Sequence, residues 1–220
     1  MTPAEAEAFR KLNFRGGQNP SSWLAWAERL RDAAEAIFAN EVHNEVPYFR
    51  AHAAATGEAM AKACAIPNGS GSAEIQCIPP NYLPGQMLCA FALENALKGL
   101  MIANDPSLAG DTKLNQLIMN HDLAKLAKEG NFAVGGDEPR ILKALTDLSQ
   151  WAGRYPTATS LKGHTNVEPL SDPHVLLDYG ADHVTVRRVL KRAIDTLTAA
   201  VGPQRVKYGL VVIVDAPRTS

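Results

Sequence analysis

The stretch MLCAFALENALKGLMIAN, Met87 to Asn104, decides the fold. Ala and Leu, both strong helix formers, dominate it, and Pro84 just upstream opens a helix that runs to about Asn104. Its only polar interior residues are Glu94, Asn95 and Lys98. A helix that is apolar nearly all round is one that other helices surround. At about 100° per residue the three polar residues share one arc of about 100°. Met87, Phe91 and Ile102 occupy the same arc above and below them. A polar patch framed in this way is expected beneath neighbouring helices or in a pocket. The plainer alternative is a Glu94–Lys98 pair at the bundle surface, worth about 0.3–0.5 kcal/mol. If the pair is buried, removing one partner costs several times more.

Working outward towards the N-terminus, Asn19-Pro20 reads as a helix start. Trp23, Trp26, Ala27, Leu30, Ala34, Ile37 and Phe38 follow at three- and four-residue spacing and form an apolar stripe. A second helix is predicted from about Val46 to Ala65, carrying Phe49, Ala53, Met60 and Cys64, with Gly57 weakening it. Residues 67–85 are rich in Pro and Gly and read as a loop, with Ile75, Cys77 and Ile78 expected to pin it to the core. Residues 1–18 are polar, end in Gly16-Gly17, and read as a loosely attached arm.

Towards the C-terminus, Asn120 is a candidate N-cap for a short helix through Glu129, with Gly130 as its stop. Another helix follows Asp137, burying Ile141, Leu142, Leu145, Leu148 and Ala152 and ending at Gly153. Pro156 to Gly180 reads as an unusually long loop. The last helix, Ala181 to Val201, buries Val189, Leu190, Ala193, Ile194 and Leu197 and stops at Gly202-Pro203. The tail holds one strand-like run, Leu210 to Val214, with no partner strand. The fold expected is an all-α up-and-down bundle with long loops: an arm over 1–18, one helical domain over 19–202 and a tail over 203–220.

Composition agrees with a core of this kind: of 220 residues, 46% are apolar, 20% charged and 6% aromatic. The 22 basic and 23 acidic residues leave a net charge of -1, so nucleic acid would have to be held locally rather than by bulk charge. No apolar run reaches membrane-spanning length and the N-terminus lacks a secretory hydrophobic region, which points to the cytoplasm. Cys64, Cys77 and Cys89 have no metal-binding spacing, and Cys64 and Cys89 read as small core residues. Neither HExxH nor CxxC, a Walker loop, a GxSxG elbow or a post-strand GxGxxG occurs, so no cofactor or metal is expected.

Three further groups carry polar chemistry. His121-Asp122 opens the short helix, where Asp122 suits the positive helix end and His121 is a candidate proton carrier or donor facing Glu94. Arg154-Tyr155-Pro156 follows Gly153, with Arg154 either meeting helix carbonyls or clamping an anion. On the final helix Arg187, Arg188, Lys191 and Arg192 form a basic cluster offset by Asp182 and Asp195, and His183 stands one turn before Arg187.

AFALENALKGLMIA (Ala90–Ala103), HDLAKLA (His121–Ala127) and LTDLSQWAGRYP (Leu145–Pro156) together resemble bacterial HEPN-domain proteins, covering about a third of the chain. The resemblance implies an α-helical bundle, usually a homodimer, linked to nucleotides and RNA in toxin–antitoxin, defence or RNA-processing systems. It also marks Glu94, Lys98, His121, Asp122, Arg154 and Tyr155 as recurring positions. Its active members are metal-independent endoribonucleases that use an Arg-x4-6-His motif. None of the six histidines here has an arginine at that upstream distance. The leading expectation is therefore a binding or interaction domain using Glu94, Asn95, Lys98, His121, Asp122, Arg154 and Tyr155 towards a nucleotide, RNA or a protein partner. One alternative is a divergent ribonuclease in which His121 or His183 is the acid/base and Arg154 or Arg187 stabilises the transition state. The other is a structural protein whose polar cluster only ties helices together.

Overall fold

The computed structural model describes residues 2–66, 69–110, 112–152 and 179–202. Arg154, Tyr155, nearly all of the 156–180 loop and the Leu210–Val214 run lie outside them. The regular elements among the described residues are all helices: α1 Pro3–Gly17, α2 Pro20–Cys64, α3 Leu83–Asn104, α4 Leu123–Glu129, α5 Glu138–Asp147 and α6 Tyr179–Val201, with a short 3-10 turn over Pro106–Leu108. A π turn, Leu148–Ala152, continues α5. No helix among these residues is long and apolar enough to cross a membrane.

The helix α3 forms the centre of the bundle, with α2, α4, α5 and α6 packed around it. Leu93, Ala96, Leu97, Leu100 and Met101 on α3 are buried, as its apolar run requires. Gly99 lets two neighbours close on it: a β-carbon there would lie 2.6 Å from Leu197 of α6 and 2.8 Å from Trp23 of α2. From α2 come Leu24, Ala27, Ala34 and Phe38; from α6 come Val186, Val189, Leu190, Ala193, Ile194 and Leu197. Trp26, expected on the same stripe, instead points outward and is half exposed. The arginine side chain of Arg29 covers its ring.

Two sequence expectations need correcting in α2. The helices expected on either side of residues 39–45 are one helix of 45 residues. The intervening ANEVHNE contains no Gly or Pro to break it, and Pro47 sits inside the helix. Proline frees the carbonyl four residues back, at His43, but this turn is exposed and solvent meets that group. Beyond Phe38 the helix leaves the bundle, and only Ala55 is buried. Cys64, expected in the core, is exposed at its end, whereas Cys89 is buried, with its thiol pushed up to about 12, first by burial.

The loop after α2 is also held differently. Ile78 is 79% exposed, and polar contacts fasten the segment instead. Lys62 Nζ donates to the Ser72 carbonyl at 3.2 Å, and the Asn81 amide donates to Glu41 at 2.9 Å. The N-terminal segment, read as an arm, is a helix with no buried residue, started by a reciprocal cap between Thr2 and Glu5. Buried Gln18 joins it to the bundle by exchanging two hydrogen bonds, each 2.8 Å, with the backbone of Gly110.

Candidate functional site

Glu94 and Lys98 stand one turn apart on α3, and their spacing brings the ammonium to the carboxylate: Lys98 Nζ donates to Glu94 Oε1 at 2.6 Å. Both are buried, at 8% and 5% exposure. His121, just before α4, reaches the same oxygen with Nδ1 at 3.0 Å, yet its side chain is 61% exposed. One carboxylate oxygen thus receives a buried ammonium from inside and an imidazole from the surface. No hydrogen bond among the described residues reaches its second oxygen, Oε2.

The geometry determines which tautomer the imidazole takes. Against an ionised carboxylate, which only accepts, Nδ1 is the donor, and Nε2 then has no hydrogen bond among the described residues. The position of His121 is set by its flanks. Asn120 Oδ1 accepts the Asp122 amide at 3.0 Å, and the Leu123 amide donates to Thr146 Oγ1 at 3.1 Å. Thr146 in turn donates to the Leu142 carbonyl at 2.8 Å, so α5 holds the start of α4 in place. Thr146 is the supporting residue that sequence reasoning missed. A lone threonine in an amphipathic helix carries no signal that its hydroxyl serves another element.

The other candidates divide. Asp122, not Asn120, is the N-cap of α4: its carboxylate accepts the Lys125 amide at 3.1 Å. Its negative charge is thereby committed to the helix end. Asn95 bonds back to its own helix, donating to the Phe91 carbonyl at 2.7 Å, and does not join the cluster. Arg154 and Tyr155 lie outside the described residues.

In the basic run on α6, each charge has an acidic neighbour. Arg187 pairs with Glu35 of α2 and lies over Phe38, 5.9 Å from the ring centre. Arg188 reaches Asp137 at 3.2 Å, Lys191 reaches Asp195 at 2.5 Å, and Arg192 reaches Glu138 at 2.8 Å. Glu138 is buried; burial opposes its charge, but hydrogen bonds from Arg192 and the Gly135 amide hold its carboxyl below the usual range. The three arginine pairs link α6 to α2 and to the start of α5, whereas Lys191–Asp195 lies within α6. His183 is no surface partner for Arg187 either. It is buried edge-on against Phe38 at 4.3 Å, and burial, then the Arg187 charge, pushes its imidazole down to about 4.

No group of three or more His, Cys, Asp or Glu able to hold a metal ion occurs among the described residues. A groove of about 830 Å³ lies elsewhere, between α2 and residues 72–76. No family model, curated protein or solved structure matches the chain.

Proposed function

We propose that this chain is a HEPN-like helical binding domain of a cytoplasmic bacterial protein, acting as a homodimer towards a nucleotide or RNA. Glu94, Lys98 and His121 form the described part of its site, and Arg154 and Tyr155 complete it. One observation carries the reading: a buried carboxylate oxygen shared by buried Lys98 and solvent-facing His121. The Glu94–Lys98 pair lies within α3 and is already complete as an ion pair; the imidazole is a third, exposed group brought to it from the entry to α4. The added imidazole has its proton fixed on the inner nitrogen, so its outer nitrogen meets a ligand already oriented. It accepts from a ribose hydroxyl or base N–H when neutral and donates to phosphate when charged.

Thermal shift with AMP, ATP and a short single-stranded RNA tests this. The wild type should be stabilised by at least one of them. His121→Ala and Arg154→Ala should melt close to the wild type without ligand and lose that stabilisation. Unchanged ligand response in both variants would defeat the proposal. If both melt far lower and no ligand acts on the wild type, the cluster is structural.

A second reading, a divergent metal-independent endoribonuclease, draws on the same hydrogen bond, because a carboxylate behind an imidazole is the arrangement of a general acid/base. It requires RNA cleavage in EDTA that disappears in folded His121→Ala protein.

A further inference from the structure

Beyond Phe38, α2 carries large apolar side chains that nothing in the described bundle covers. Val42, Val46, Phe49 and Met60 are 46%, 54%, 59% and 66% exposed. With exposed Ala53 and Thr56 they form a series spaced four, three, four, three and four residues apart, the repeat of a helix–helix seam. Thr56 fits such a seam because its hydroxyl is spent within the helix, donating to the His52 carbonyl at 2.9 Å. The opposite face of the same segment is occupied: Ala51, Ala55, Glu58 and Lys62 border the groove against residues 72–76.

The bundle limits how a partner approaches. At 100° per residue the seam points within roughly 45° of the side that Leu24, Ala27, Ala34 and Phe38 bury in the bundle. A second α2 laid parallel and in register would run into that bundle. An antiparallel one, crossing near Ala51, would clear the described residues of the bundle. Its own bundle then lies beyond the end of the first helix, and Cys64 comes level with Phe38 of the second copy, where the overlap must stop.

Side-chain sizes fit that arrangement. Antiparallel layers symmetric about Ala51 set Val42 against Met60, Val46 against Thr56, and Phe49 against Ala53, so the largest ring meets the smallest residue. The strip covers about 39 Å of helix, roughly 10 Å wide. An area of this order belongs to weak, concentration-dependent complexes rather than permanent ones. On one edge Arg50 faces its own copy, which holds affinity down further at low salt.

We infer that two copies of this chain associate through the distal half of α2, packed antiparallel about Ala51. The inference stands independently of the ligand reading above, since no seam residue touches Glu94 or His121.

Sedimentation velocity over a concentration series tests it, with circular dichroism to check that each variant stays helical. The wild type should dimerise reversibly, and more tightly in higher salt. Phe49→Glu should weaken association at least about tenfold, the equivalent of about 1.4 kcal/mol. Val46→Glu and Thr56→Lys should each weaken it, and together in one chain restore it, because residue 46 faces residue 56 of the other copy. A wild type that stays monomeric at high concentration would overturn the inference. So would a dimer indifferent to Phe49→Glu, which uses another face, or a double variant that stays monomeric, which excludes this register.

Discussion

At Glu94 the chain places a carboxylate where water does not reach freely, and two cations or donors answer it. Removing Lys98 leaves that charge without its inner partner. Lys98→Ala should therefore cost about 3–5 kcal/mol in urea unfolding, well above the few tenths typical of an exposed pair. Replacing both residues together, Glu94→Leu with Lys98→Leu, should cost far less than that single change, because no orphaned charge remains. A Lys98→Ala effect below about 1 kcal/mol would mean that the pair is solvated.

His183 supplies a prediction with a definite sign. Its folded value of about 4 lies below the ordinary histidine value of 6.5. The unfolded chain thus binds the extra proton first, between those two values. The stability this group contributes is complete above about pH 6.5 and is lost as pH falls towards 4. Melting temperature should drop over that window, and the drop should be shallower in His183→Gln after subtracting the variant's own acid response. Parallel curves for the two proteins would contradict it.

Among the elements, those with an unbroken apolar repeat were legible in the sequence. The helix α3 could be read as central from its composition alone, and α6 from Val189, Leu190, Ala193, Ile194 and Leu197, all buried as expected. What escaped reading depended on contacts outside the local window. The apolar stripe ending at Phe38 and the second one from about Val46 read as two helices, yet no breaker lies between Phe38 and Val46, so α2 continues. Asn120 and Asp122 are both good caps, and only the packing of Leu123 against α5 selects the second. Asp195 was legible as an offset to the basic residues of α6, but the partners of the arginines, Glu35, Asp137 and Glu138, are remote in sequence. At the site, Glu94 with Lys98 followed from helical spacing. That His121 faces Glu94 was one of two readings of the His-Asp pair, and only the fold puts it on the same oxygen as Lys98. One element-scale prediction follows from Pro47: Pro47→Ala should raise hydrogen-exchange protection around residues 43–50 while scarcely moving global melting, because this turn lies outside the core. A large rise in melting temperature would instead couple it to the bundle.

For the molecule as far as it is described, an all-α bundle carries a long helix that extends past it, and the site we propose lies at the entry to α4 rather than on the basic face of α6. Buried apolar residues of α6 hold it in the bundle with ion pairs at the rim, and the exposed apolar face of distal α2 is the surface we assign to contact with another copy. The claim on which the functional account turns is that His121 is held by Glu94 with its outer nitrogen turned to a ligand. Nitrogen-15 NMR of the imidazole side chains, titrated with AMP and with a short RNA, addresses it directly. The account predicts that free His121 carries its proton on Nδ1 and that Nε2 alone shifts as ligand is added. A proton on Nε2 in the free protein, or Nε2 unmoved at saturating concentrations of both ligands, would contradict it.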